Sequence, residues 1–153
     1  MEPRLNTHEA NPQVVSPMMG MVRAVRESGI DRKLKHLIDI RASQINGCGY
    51  CLDMHTQEAR ADGETEQRIY VLSAWRDAPF YSDAERVALE LTEAVTLISE
   101  GGVSDDLYKR VREHYDEAQF VALLMAINTI NCWNRLSIAS GNQAGRYHPG
   151  EHD

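Results

Sequence analysis

At 153 residues, with 42% apolar and 25% charged side chains, the chain is long enough for one hydrophobic core and too short for two. A formal charge of −7 and the lack of any lysine or arginine cluster exclude general binding to nucleic acid and docking on an anionic membrane. No apolar run approaches the roughly 18 residues of a membrane span, and the N-terminus lacks the basic-then-apolar pattern of an export signal. A cytoplasmic protein is expected, in which the odd number of cysteines argues against a disulfide framework and a close pair serves catalysis or metal binding.

Residues 1–13 are polar and broken by Pro3, Asn6, Asn11 and Pro12, which predicts an extended or poorly ordered arm ahead of a domain over 14–140. From Val14, the residues Val15, Met18, Met19, Val22 and Val25 recur at helical steps, and the helix ends near Ser28-Gly29. Its methionines read as a flexible, core-filling stripe rather than a ligand surface. Asp31 suits the N-cap of the next helix, in which Leu34, Leu37, Ile38, Ala42 and Ile45 form an apolar stripe up to Asn46-Gly47. His36 stands near the edge of that stripe.

The stretch Gly47-Cys48-Gly49-Tyr50-Cys51-Leu52-Asp53-Met54-His55 carries two of the three cysteines, spaced C-x-x-C, with a histidine four residues after the second. Gly47 ends the preceding helix, and nothing obstructs a new one from Tyr50 to Ala61. At 3.6 residues per turn, positions 51 and 55 lie about 40° apart around the axis, so Cys51 and His55 share a face. A cysteine in the first turn of a helix sees unpaired N–H groups and the positive end of the dipole, which favour its thiolate. A neighbouring imidazole takes the proton or stabilises the anion. The combination predicts a reactive dithiol rather than two inert core cysteines.

Asp62-Gly63 closes that helix, and another follows from Thr65 to Arg76 with Ile69, Leu72 and Trp75 as its buried edge. Asp77-Ala-Pro breaks it. Ser82 and Glu85 form a capping box for the clearest amphipathic helix, which stops at Gly101-Gly102. Ser104 caps a short, charged surface helix through Tyr115. From Asp116 to Ser140 apolar residues cover nearly the whole circumference, which predicts burial in the core or between subunits. Asn128, Asn131 and Asn134 on that helix must find partners and are expected to bond backbone across a helix contact; Cys132 reads as a packed, inert thiol. The tail over 141–153, with His148 and His152, reads as a frayed end. No stretch alternates like a strand, so the fold class is all-α, a bundle of about six to seven helices.

The text from Leu37 through Cys48-Gly-Tyr-Cys51-Leu-Asp-Met-His55-Thr, with Glu58-Ala-Arg and Gly63-Glu-Thr-Glu-Gln-Arg, strongly resembles the carboxymuconolactone decarboxylase family, in its AhpD-like alkylhydroperoxidase branch. Ala74-Trp-Arg-Asp-Ala-Pro-Phe-Tyr-Ser and Ile127-Asn-Thr-Ile-Asn-Cys-Trp-Asn-Arg-Leu extend the likeness over roughly residues 14–140. The resemblance implies an all-helical subunit in a homo-oligomer, trimeric or hexameric, that reduces a peroxide substrate with no cofactor through a redox-active Cys48–Cys51 disulfide reopened by an external dithiol reductant. It makes Cys51 the peroxidatic thiol, Cys48 the resolving thiol and His55 the residue that moves protons around Cys51.

Two positions depart from the family pattern: His36 stands where the relay glutamate is found, and Tyr50 where a histidine precedes the second cysteine. His36 is a candidate proton donor to the departing alkoxide, and Tyr50 is able to donate a hydrogen bond but makes a poor base. Three other readings stay open. A metal site from Cys48, Cys51, His55 and His36 has a plausible ligand set but lacks a second ligand pair from a separate segment. Lactone decarboxylation needs no cysteine pair. A slow dithiol redox sensor, or an oligomeric partner-binding protein, keeps the cysteines without rapid turnover.

Overall fold

Helix starts follow the capping chemistry of the chain in the computed structural model, which describes residues 3–150. Every regular element among them is helical: α1 (Thr7–Ala10), α2 (Pro12–Val15), α3 (Pro17–Glu27), α4 (Arg32–Asn46), α5 (Gly49–Ala61), α6 (Glu66–Tyr70), α7 (Asp83–Thr96), α8 (Asp105–Arg112) and α9 (Glu117–Ser140), with 3-10 turns at Leu72–Asp77 and Ile98–Glu100. Asp31, Thr65 and Ser104 each cap the helix that follows, and capping boxes form at Ser82/Glu85 and Asp116/Gln119. None of the described helices is long and apolar enough to cross a membrane.

The arm differs from expectation. Asn6 accepts the N–H groups of His8 and Glu9 and starts α1, while Pro12 and Pro17 each open a new helix because a proline has no N–H to continue the one before. These short turns, rather than an extended arm, raise the number of described α-helices from the expected six or seven to nine. The backbone N–H of Arg4 donates to Ser140 O at 2.8 Å, and the His8 ring stacks on Trp133, which lay the arm along the end of α9. The helix predicted over 65–76 tightens to a 3-10 turn after Tyr70, with Ile69, Leu72 and Trp75 buried as read.

Helix α4 is the centre of the packing, against α5, α7 and α9. Its Leu34 and Ile38 meet Ala88 and Leu91 of α7, Leu107 and Val111 of α8, and Leu123 and Ile127 of α9. A quarter-turn round, Leu37 and Ile40 meet Ala59, Ile69, Leu72 and Trp75. The charged helix α8 therefore lies on the surface by one face only. Glu93 of α7 accepts from Arg41, Trp75 and Arg76 at 2.7–2.8 Å, joining α4, the 3-10 turn and α7.

Two expectations about α3 and α9 are corrected. On α3 only Val25 is buried, Met18 and Met21 are half-buried and Met19 is exposed, because α3 leans mainly on α9 and one neighbour cannot cover the stripe. On α9, Leu123, Ile127, Ile130 and Asn134 face the core, but Val121, Met125, Asn128 and Cys132 are exposed. Those four recur at steps of four, three and four residues, so they form one stripe on the outer face. Cys132 is thus a surface thiol rather than a packed one.

The buried amides bond one another rather than backbone across the contact. Asn46 at the end of α4 donates to Asn131 Oδ1 (2.9 Å) and Asn134 Oδ1 (2.8 Å) of α9. Asn134 donates to Ser43 Oγ, and Asn131 to Thr96 Oγ1, each at 3.0 Å. This network pins the last turn of α4, and so fixes where the chain enters the cysteine turn.

Candidate active site

Gly47 ends α4 at φ +71, the left-handed conformation that glycine adopts without a Cβ penalty, and Cys48 follows as the N-cap of α5. The Cys48 Sγ accepts the backbone N–H of Cys51 at 3.3 Å. The two sulfurs lie within disulfide bonding distance across this first turn, with Cα atoms 5.3 Å apart. Both cysteines are about 1% exposed and pack with Ala42 and Ile130, with the half-buried Tyr50 against them. A cleft of about 320 Å³ opens beside Cys48, between the start of α5, Arg4, Ile138 near the end of α9 and Gln143 just past it.

One turn after Cys51, His55 is buried on the same helix. Side chains four residues apart lie on one face of a helix, so the imidazole shares the face of α5 that carries Cys51. Its Nδ1 donates to Glu58 Oε2 at 2.9 Å and stands 3.7 Å from Asp39 Oδ2 of α4, while Nε2 makes no hydrogen bond among the described residues. Lys35 donates to Asp39 Oδ2 at 2.5 Å. Burial opposes the charge on Lys35, but the Asp39 carboxylate outweighs it and raises the ammonium pKa. Burial also acts to raise the Glu58 pKa, yet hydrogen bonds from His55 and Tyr147 and the His55 and Lys35 charges pull it down to about 2. The result is a carboxylate held ionised beneath the imidazole.

His36 is not brought to the cysteines. Its Nε2 bonds Asp62 Oδ2 at 2.5 Å, and Arg32 Nε reaches the same oxygen at 2.6 Å. Asp62 caps the C-terminal end of α5, eleven residues past Cys51 and so about 16 Å along the helix. The antiparallel run of α4 against α5 thus sets His36 beside Asp62 and puts Asp39, three residues later, at His55. Among the described residues no group of three or more His, Cys, Asp and Glu side chains is arranged to hold a metal ion.

Residues 12–94 match the model of the carboxymuconolactone decarboxylase family. The chain belongs to the carboxymuconolactone decarboxylase family. Among similar members, the uncharacterized protein YdfG of Bacillus subtilis is 54% identical over 144 residues, covering 94% of this chain and 98% of that one. A solved structure of a protein of unknown function from Agrobacterium tumefaciens, proposed to be an antioxidant defence protein AhpD, superposes with a TM-score of 0.91 at 38% identity, over 95% of this chain and 100% of that one. A peroxidase-related protein from Silicibacter matches at a TM-score of 0.79 and 21% identity, over 94% and 76% of the two chains, a likeness of fold. The helical fold of this family member is AhpD-like.

In this carboxymuconolactone decarboxylase family member the sequence alone points to Cys48, Cys51 and His55, which the fold assembles, and misses Asp39, Glu58 and Tyr147. Glu58 carried a local signal, the three-residue step from His55 that puts two side chains on one helix face. Asp39 comes from α4 and carried none. Tyr147 belongs to the tail read as frayed, yet it is buried and its hydroxyl donates to Glu58 Oε1 at 2.9 Å. His148 is among the described residues, whereas His152 of the same tail lies outside them.

Proposed function

We propose that this protein is a thiol-dependent peroxidase that reduces a hydroperoxide through the Cys48–Cys51 pair and is returned to the dithiol by an external dithiol. The observation that carries the reading is the stack on α5: two cysteines joined across the first turn, an imidazole one turn below them, and an ionised carboxylate holding that imidazole by Nδ1. The family membership and the AhpD-type description of the Agrobacterium relative support it.

With Nδ1–H committed to Glu58, the Nε2 lone pair of His55 is the basic atom, the arrangement that suits a general base. Nε2 takes the proton of the Cys51 thiol. The thiolate attacks one peroxide oxygen, the O–O bond breaks, and the imidazolium returns its proton to the departing alkoxide, leaving Cys51 as sulfenic acid and an alcohol. Cys48 sulfur then attacks the Cys51 sulfur; hydroxide leaves, takes up the Cys48 proton as water, and the disulfide closes. An external dithiol reopens it by two thiol–disulfide exchanges, becoming oxidised itself. The electron pair comes from that dithiol, so the cycle needs no cofactor, and a reducing, cytoplasmic setting supplies it. The exposed stripe of α9 is the face on which a second copy would close a homo-oligomer.

The test is peroxide consumption by purified protein with a dithiol reductant, beside Cys51→Ser and Cys48→Ser. Loss of turnover in both variants supports the mechanism. The near-complete burial of both cysteines favours a second reading, a slow dithiol switch that reacts only when its turn opens. A wild type that oxidises reversibly between Cys48 and Cys51 but does not turn over would establish that reading instead.

A further inference from the structure

The segment after α9 crosses the outside of α5 and is fastened to it at two places. The Gly145 N–H donates to Asp53 Oδ2 at 2.7 Å, and the Tyr147 hydroxyl donates to Glu58 Oε1 at 2.9 Å. Asp53 and Glu58 are five residues apart, so the strap runs along the helix for more than a turn and flanks His55. Tyr147 is 5% exposed, which is not the state of a frayed end.

Glu58 is shared between the two. One carboxylate oxygen takes the Tyr147 hydroxyl and the other takes His55 Nδ1–H, so the hydroxyl fixes the rotation of the carboxyl group that fixes the imidazole. We infer that Tyr147 is a positioning residue of the dithiol site, acting through Glu58 to hold His55 with Nε2 turned to Cys51. The groups facing His55 are Glu58 on its own helix, Asp39 with Lys35 on α4, and Tyr147 from the strap. Without the hydroxyl, Glu58 is free to rotate toward solvent or toward Lys35, and Nδ1 is left to the more distant Asp39. The inference rests on the peroxidase reading for its consequence in turnover, but its effect on Cys51 is measurable without any peroxide.

The experiment reads the alkylation rate of Cys51 against pH in the fully reduced protein, using iodoacetamide and mass spectrometry of the Cys51 peptide. Wild type, Tyr147→Phe, Glu58→Gln and the double variant are compared. Phenylalanine keeps the buried ring, so packing is retained while the hydrogen bond is lost. The expected result is an alkylation rate at pH 6 lowered about fivefold in Tyr147→Phe, the scale of one such hydrogen bond, with a melting temperature close to that of wild type. The double variant is expected to react no more slowly than Glu58→Gln alone, because the hydroxyl acts on His55 through that carboxylate. An unchanged alkylation profile in Tyr147→Phe, or losses that multiply in the double variant, would overturn the inference. A wild type inactive toward peroxide that still shows the alkylation shift would remove the peroxidase reading and leave Tyr147 in its role.

Discussion

Glu58 follows His55 by three residues on α5 and accepts its Nδ1–H at 2.9 Å, while the next charged group in reach of that nitrogen, Asp39, stands 3.7 Å away. The imidazole is therefore oriented mainly from within its own helix. Removing it in His55→Ala is expected to lower kcat/KM for peroxide about a hundredfold, the usual scale of a general acid–base group. Glu58→Gln, which keeps shape but not charge, is expected to cost about tenfold. Steady-state peroxide consumption at pH 7 measures both, and equal losses would mean that Glu58 does more than orient.

Acid stability carries the sign of the same carboxylate. Glu58 titrates near 2 in the folded chain against an ordinary 4.5, so folding favours its ionised form. Its contribution is complete above about pH 4.5 and is lost as the pH falls toward 2. Thermal melts of wild type and Glu58→Gln are expected to differ most at neutral pH and to converge across that window. Parallel curves throughout would show that the shift does not stabilise the fold.

The amide network beneath the cysteine turn gives a stability prediction. Asn134 is fully buried and binds Asn46 and Ser43 together. Asn134→Leu leaves the Asn46 amide and the Ser43 hydroxyl short of a partner in a dry site, at an expected cost of about 2 kcal/mol. Chemical denaturation followed by circular dichroism reads it. A variant as stable as wild type would mean that the neighbours repartner.

Gly47 separates backbone strain from crowding. A Cβ there meets nothing within 4 Å, yet φ is +71. Gly47→Ala is expected to lose about 1 kcal/mol from conformation alone, seen in the same denaturation assay. A much larger loss would point to a contact made only in an assembly.

The outer stripe of α9 predicts assembly. Val121 and Met125 are exposed on it together with Cys132. If a second copy covers this face, light scattering finds an oligomer in which Cys132 resists iodoacetamide, and Met125→Glu yields a monomer in which Cys132 is labelled. A wild-type monomer with a freely labelled Cys132 would remove this face as the contact.

The features legible in the chain alone are local. Caps at Asp31, Thr65, Ser82 and Ser104, the stop at Gly47 and the shared face of Cys51 and His55 all depend on residues within about one turn of each other, where spacing translates directly into geometry. Even the missed helices of the arm follow from Asn6 and Pro12, two local signals read as breaks rather than as starts. The tertiary structure decided which charged groups meet. Pairing α4 antiparallel to α5 put Asp39 rather than His36 at the imidazole, and the fold-back of the tail brought Tyr147 to Glu58 across 89 residues. It also decided which side of α9 stays uncovered, since a helix apolar all round offers every face to the core and only the number of neighbours determines how many are used. Periodicity gives the face of a helix; the partner opposite that face depends on register and crossing between elements far apart in the chain, which no local pattern encodes.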